Sequence, residues 1–371
     1  MASYKFGDIV KEVKINIDRN NNPYEFYVAG DHMDSEDLTI HRKGIFASDD
    51  VGPAFTRLFK PGQVLYGSRR TYLKKVAVAD FEGICSNTTF VLEGKAPDKF
   101  DERLLPFIML SDGFTQWSVS HSKGSTNPYI LFSDLASYEF ELPTMEKQRK
   151  LADKLWSAYH LKEAYQKLLS ATDEMVKSQF LEMFGNLDKT ERLSDHCQVI
   201  SGKSMSVKEE ESSGPIPYIK VADFNLAGND KFIATSSRYV SVESASKSKM
   251  IQKGCVVFAK NGAASLSNKK RLTAIECCID MNTMAVKIND DSLSSEYLYF
   301  FLCSIDIKDH VRQGAIPSID PHSVESILLP LPPMDQQKTF VTIAEQADKS
   351  KFELKRAIEA VDKVIKSLIN G

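Results

Sequence analysis

Apolar residues recur at three- and four-residue steps along two long stretches, and this pattern sets those stretches apart from the rest of the chain. The first runs from about Met145 to Phe184 and carries Leu151, Leu155, Ala158, Tyr165, Leu168, Met175 and Val176. The second starts at about Met334 and carries a cleaner stripe of Phe340, Ile343, Ala347, Leu354, Ile358, Val361, Ile365 and Leu368. Such spacing gathers apolar side chains on one face of an α-helix. Neither stretch contains Gly or Pro, so nothing in the backbone breaks the helix. A helix of about 40 residues is ~60 Å long, and its stripe must be buried against something equally long. Two such helices in one chain predict that they pack on each other as a coiled-coil pair.

The blocks 1–140 and 187–330 follow a different pattern. Short β-rich runs, such as Glu25 to Ala29, Gln63 to Tyr66, Gly254 to Ala259 and Thr283 to Ile288, are separated by Gly, Pro, Asn and Asp. Each block also has a short helical segment near its end, Asp101 to Leu110 and Ser294 to Ser304. The expected fold class is α+β. It has two mixed α/β domains, 1–140 and 187–330, each followed by a spacer helix, 141–186 and 331–371.

That order is an internal repeat. Leu142-Pro-Thr-Met-Glu-Lys-Gln148 falls on Leu331-Pro-Pro-Met-Asp-Gln-Gln337, an offset of 189 from 142 to 331. The offset holds to Val176-Lys-Ser178 over Ile365-Lys-Ser367, and back to Pro128 and Ile130 over Pro317 and Ile319. Further upstream it becomes 192, with Gly62 to Tyr66 on Gly254 to Phe258 and Asp31 on Asp223. The helices match in side-chain character and the domains in pattern only. This suggests two heads doing one job on two different targets.

Charge narrows the field. Lys plus Arg is 47 and Asp plus Glu is 50, a net charge of -3. Block 1–140 has 16 basic and 19 acidic residues, and block 190–330 has 16 and 17. Neither is basic enough for strong autonomous DNA binding, because phosphate neutralisation supplies most non-specific affinity. No run of ~18 apolar residues is present, so no transmembrane helix is expected. Met1 to Lys14 lacks an apolar signal core, which predicts a cytoplasmic protein without membrane contact. The six cysteines form no CxxC pair and are expected to be reduced, buried thiols.

Catalytic and cofactor motifs are missing, and no cofactor or metal is expected. Ser201-Gly202-Lys203-Ser204 resembles the end of a phosphate loop, but the Gly that the motif requires further upstream is Cys197. No GxG pair occurs among the 18 glycines. Asn127-Pro128-Tyr129 lacks the second Pro of an amino-methyltransferase tetrapeptide, and its repeat partner Ile316-Pro317-Ser318 does not share it. His196-Cys197 reads as structural rather than as a ligand pair.

Binding chemistry is present instead. Basic residues cluster at matching places in the two blocks, just after the strand that begins at Gly62 or Gly254. The first cluster is Arg69, Arg70, Tyr72, Lys74 and Lys75, and the second is Lys260, Asn261, Lys269, Lys270 and Arg271. Arg and Lys neutralise phosphates, Arg forks onto guanine, and Asn pairs with adenine. A solvated hairpin tip would look the same in one copy, so the recurrence carries the DNA reading. A second candidate is the turn from Lys123 to Ile130, with Ser125 and Thr126, and its counterpart from Gln313 to Ile319. A tight turn that locks each domain onto its helix explains it equally well.

Taken together, these strings resemble the specificity subunit of type I restriction-modification systems over essentially the whole chain. The carrying features are the Leu-Pro-x-Met-Glu/Asp-x-Gln helix starts at Leu142 and Leu331 and the Gly-Ala-Ile-Pro-Ser-Ile turn at Gly314. Others are the helix end Val176 to Gly185, the opening Ile200-Ser-Gly-Lys-Ser204, and Pro215 to Asp223. The first block departs from the pattern, lacking a counterpart of Pro217-Tyr218. The resemblance implies two target recognition domains reading the halves of a split, asymmetric double-stranded DNA site. The long helices would pack antiparallel and set the half-site spacing, one turn being ~34 Å. Two methyltransferase subunits would dock on the helices, and restriction/motor subunits would join for cleavage. The chain itself would be non-catalytic. Two other readings remain open, an enzyme of unrecognised type and a coiled-coil protein-binding adaptor.

Overall fold

The computed structural model describes residues 2–18, 21–185, 187, 190–312, 314 and 316–371. It divides into two compact units, Met1–Gln166 with Lys355–Gly371, and Lys167–Leu354.

In the first unit, strands Val10–Glu12, Thr89–Gly94, Val64–Gly67 and Val76–Val78 lie side by side in that order, all antiparallel. Successive side chains of a strand point to opposite faces. Val64, Tyr66, Phe90 and Leu92 therefore face one core, with Phe107 and Phe114 from the helices Leu105–Leu110 and Asp112–Ser120. Leu65, Ala77 and Val91 face another, with Val28, Phe59 and Cys85 of a second sheet. Burial on both faces explains why Val64-Leu65-Tyr66 is apolar without alternation. The second sheet has the order Gly44–Ile45, Phe26–Val28, Gly83–Ser86, Phe55–Phe59, and its middle pair is parallel.

The second unit repeats this plan. Cys197–Ser201, Thr283–Ile288, Val256–Ala259 and Lys270–Thr273 form the matching sheet, with Phe232–Ile233 added at the edge. The register matches too: Tyr66 lies opposite Phe90, and Phe258 opposite Met284. Val256, Phe258, Met284 and Val286 face the helix Ser295–Ser304, while Val257 and Ala285 face Ile219 and Ile279. The parallel pair recurs as Tyr218 beside Cys278. The match of Asp31 with Asp223 fails, however. Asp31 is exposed, whereas Asp223 is buried and accepts hydrogen bonds from the backbone of Lys220 and Ser237.

Two long helices leave these sheets, α1 (Met145–Phe184) and α2 (Met334–Asn370). Each starts on a buried glutamine. The Gln148 side chain accepts from the Asp101 N–H at 3.0 Å and donates to the Lys99 and Pro143 carbonyls at 2.9 Å each. Gln337 accepts from the Ser294 N–H at 3.0 Å and donates to the Ser292 and Pro332 carbonyls at 2.7 and 3.0 Å. One amide thus satisfies three backbone groups that would otherwise be stranded. This network is the physical content of the Gln that closes each Leu-Pro-x-Met motif.

In the first unit, Ala152, Leu155 and Tyr159 of α1 share a core with Val361, Ile365 and Leu368 of α2, beside a Lys162–Asp362 ion pair at 2.8 Å. In the second, Phe180 and Phe184 of α1 pack on Phe340 of α2 at 5.3 and 5.6 Å. There Lys351 meets Asp173 at 2.9 Å. The buried face of α1 is therefore rotated from the expected stripe. Leu168 and Met175, read as packed, are 52% and 47% exposed. Tyr159 takes the inward position because its hydroxyl donates to Asp37 and accepts from the Leu38 N–H.

Three sequence expectations gain a local explanation. Gly202 sits where a β-carbon would fall 2.0 Å from the Asp280 carbonyl, so its glycine serves strand contact and not phosphate. His196 is clamped between Glu191 at 2.6 Å and Asp290 at 2.9 Å, a structural role. These carboxylates hold its pKa above the usual histidine value against the opposing effect of burial. All six cysteines are free thiols, and five of them are buried.

Candidate nucleic-acid interface

The basic cluster of the first unit forms the tip between strands Val64–Gly67 and Val76–Val78, closed by a 3-10 turn over Thr71–Leu73. The tip lies against the turn that follows Lys123. The Arg70 N–H donates to the Pro128 carbonyl at 2.6 Å and the Ile130 N–H to the Ser68 carbonyl at 2.9 Å, while Arg69 bridges to Tyr129. The two candidate binding segments are thus one surface feature. Lys123 and Tyr129 bond each other's backbones, which projects the exposed residues Gly124 to Asn127, with Ser125 and Thr126, as a closed loop.

The second unit makes the same junction. The Gly262 N–H donates to the Pro317 carbonyl at 2.8 Å, the Ile319 N–H donates to the Lys260 carbonyl at 2.8 Å, and Asn261 bridges to Ser318. These three contacts match those of the first unit at the two offsets read from the sequence, 192 for the tip (70 to 262) and 189 for the turn (128 to 317). Gln313 and Ala315 of this turn lie outside the described residues. Ile316, on the turn, is 70% exposed.

The candidate side chains divide sharply. Arg69 and Arg70 are exposed and make no side-chain hydrogen bond or ion pair among the described residues, and Tyr72 is 54% exposed. Lys74 instead pairs with Glu36 at 3.2 Å and Asp112 at 3.3 Å, and Lys75 donates to the Gly30 carbonyl. In the second unit, Lys260 donates to Ser201 and Lys269 to Asn225. The Asn261 amide group donates to the Met281 carbonyl and to Asn282. Arg271 spends its guanidinium on the carbonyls of Asn229, Lys270 and Phe224.

Lys270 must be withdrawn from the candidate DNA-binding residues. It is 1% exposed and donates to Asn268 and the Ile305 carbonyl. It belongs to strand Lys270–Thr273, whose alternation turns Lys270 and Leu272 inward together. Arg271 is likewise a structural residue, its donors directed into the domain. Burial, with a smaller push from Lys177, lowers the Lys270 ammonium to about 8, against smaller opposing effects of Cys303 and Asp306. The folded chain thus sheds this proton before the unfolded chain does. Wild type is expected to gain stability relative to Lys270→Met as pH rises from about 8 toward the ordinary lysine value of ~10.4. Denaturant unfolding of both chains at pH 7.5 and 9.5 measures the gap, and a gap that does not move would contradict this placement.

The glutamines under the helices are the residues that sequence reasoning did not assign a role. Their signal was available, since Gln148 and Gln337 recur at the helix offset. Among the described residues no group of His, Cys, Asp and Glu is arranged to hold a metal, and no helix is long and apolar enough to cross a membrane.

The sequence profile of the type I restriction modification DNA specificity domain matches the chain twice, over residues 4–168 and 188–361. The chain belongs to this family. Each match covers one sheet-bearing region with most of its long helix. The Escherichia coli type I restriction enzyme EcoDI specificity subunit is 23% identical over 201 residues, 53% of this chain and 44% of that protein. The MjaVIII specificity subunit of Methanocaldococcus jannaschii is 24% identical over 183 residues, 48% of this chain and 40% of that protein. The chain thus spans less than half the length of the curated relatives it matches. Among solved structures, a chain from a type I R-M system studied for its complex assembly and conformational transition superposes with a TM-score of 0.59 at 18% identity, covering 99% of this chain and 96% of that one. The type I restriction-modification S subunit of M. genitalium gives 0.53 at 15% identity, covering 99% and 94%. Both structures share the mixed α/β fold of this chain.

Proposed function

We propose that this chain is the DNA-reading subunit of a type I restriction-modification complex and performs no catalysis itself. Residues 1–140 and 187–330 act as its two target recognition domains, and 141–186 and 331–371 as spacer helices. The observation that carries the proposal is the tip-and-turn junction, built by the same three backbone contacts in both units while the exposed side chains differ. A conserved scaffold with divergent tips is what two readers of different half-sites require. The target is therefore double-stranded DNA with an asymmetric two-part sequence.

An antiparallel coiled-coil spacer with a pseudo-twofold internal repeat is part of this reading. In its support, a step along α1 from Lys162 to Asp173 is matched by an equal step back along α2 from Asp362 to Lys351. Two methyltransferase subunits dock on the helices and supply the methyl transfer, and restriction/motor subunits join for cleavage. That only Arg69 and Arg70 of the candidate cations are uncommitted among the described residues fits a reader that grips DNA only within such a complex. Reconstitution with methyltransferase subunits tests it. The complex should methylate adenines in one two-part sequence, whereas adenine methylation by the purified chain alone would overturn the non-catalytic role.

A further inference from the structure

Four residues other than glycine have positive φ among the described residues: Glu36, Arg70, Lys74 and Asn268. L side chains rarely adopt this conformation, and it persists where something over-determines it. For three of them the side chain supplies the reason. Glu36 and Lys74 pair with each other, Lys74 also with Asp112 and Glu36 also with Lys366. Asn268 accepts from the Ile307 N–H and from Lys270. Arg70 has φ +49 and no intramolecular partner for its guanidinium among the described residues.

The repeat supplies an internal control. The position matching Arg70 in the second unit is Gly262, also at positive φ though with ψ -172 where Arg70 has ψ 56, and its N–H makes the same bond to the turn proline. Glycine takes either positive-φ conformation without strain. The junction therefore does not need an arginine, and the fold does not reward one. Its neighbour Arg69 is exposed and uncommitted as well, so a mere positive charge is already present on the tip. Arg69 carries the same planar fork of donors; what sets Arg70 apart is that its fork stands on a left-handed backbone that no contact of its own side chain explains among the described residues.

We propose that Arg70 is a specificity-determining residue that reads a guanine edge in the half-site of the first unit. This rests on the DNA-reading function proposed above. A guanidinium bonds O6 and N7 of guanine at once, with a rigid planar geometry that an ammonium lacks. The second unit, with Gly262 at this position, reads its half-site without an equivalent fork.

The test uses the complex reconstituted with methyltransferase subunits and a random DNA library, with methylated sites read by sequencing. Arg70→Gly should fold with unchanged or raised thermal stability. It should relax a guanine requirement at one position of one half-site, with the preference there falling roughly 10- to 100-fold. Arg70→Lys keeps the charge and loses the rigid planar fork, so the preference at the same position should also fall, by less than in Arg70→Gly. A uniform loss of affinity over all sequences, with a shallower salt dependence, would identify a phosphate contact and overturn the proposal. Loss of complex assembly, or an unchanged motif, would overturn it too. If the wild-type complex selects no sequence, the DNA-reading function itself fails; if it does and the Arg70→Gly motif is unaltered, only the role of Arg70 fails.

Discussion

Gln337→Glu is expected to lower the unfolding free energy by about 3 kcal/mol, although the side chain keeps its shape. One carboxylate oxygen would still accept from the Ser294 N–H. The other would face the carbonyls of Ser292 and Pro332, which the amide now serves at 2.7 and 3.0 Å. The side chain is fully buried, so a carboxylate there has neither water nor cation to compensate it. Protonation gives back one donor for two carbonyls and itself costs free energy. The same substitution at Gln148, which is 1% exposed and bonded in the same way, should cost a similar amount. Denaturant unfolding of each variant measures this. A loss below about 0.5 kcal/mol at both sites would show that the networks do not secure the helix starts, since one exposed hydrogen bond already accounts for that much.

Phe340→Ala is expected to cost about 3–5 kcal/mol, the range for a large buried aromatic residue removed without refilling. Phe340 is fully buried and touches Phe180, Phe184, Tyr297 and Phe300, with centroids 5.3 to 6.4 Å apart. Residues of α1, α2 and the helix Ser295–Ser304 thus meet at a single ring. Phe340→Leu keeps most of the volume and should recover most of the loss. Calorimetry or denaturant titration separates the two, and an Ala variant as stable as wild type would remove Phe340 from its central place in this core.

Much of this architecture was legible from spacing alone. The two helices announce themselves by long periodic runs without Gly or Pro, and their observed bounds, Met145–Phe184 and Met334–Asn370, fall where the pattern begins and stops. The buried phase of α1 was less legible. Tyr159 scores as half polar, and its burial depends on Asp37 and Leu38, more than a hundred residues away in sequence. The repeat was visible as short strings, and the junction contacts obey both of its offsets. The identity of the free cations was not visible. A lysine beside other basic residues reads the same in sequence whether it faces water or, like Lys270, sits in a sheet. The alternation of Lys270 with Leu272 was the one available warning. Arg70 could be singled out only once φ was known at every residue of the tip.

Sequence reading by the heads is tested most directly by exchanging residues 190–330 for the corresponding block of another specificity subunit. The chimera is reconstituted with the same methyltransferase subunits, and its methylated adenines are mapped by sequencing. One half of the modified sequence should change to that of the donor, while the half read by the first unit and the two-part form stay as they were. A modified sequence that is identical before and after the exchange would contradict recognition by this block.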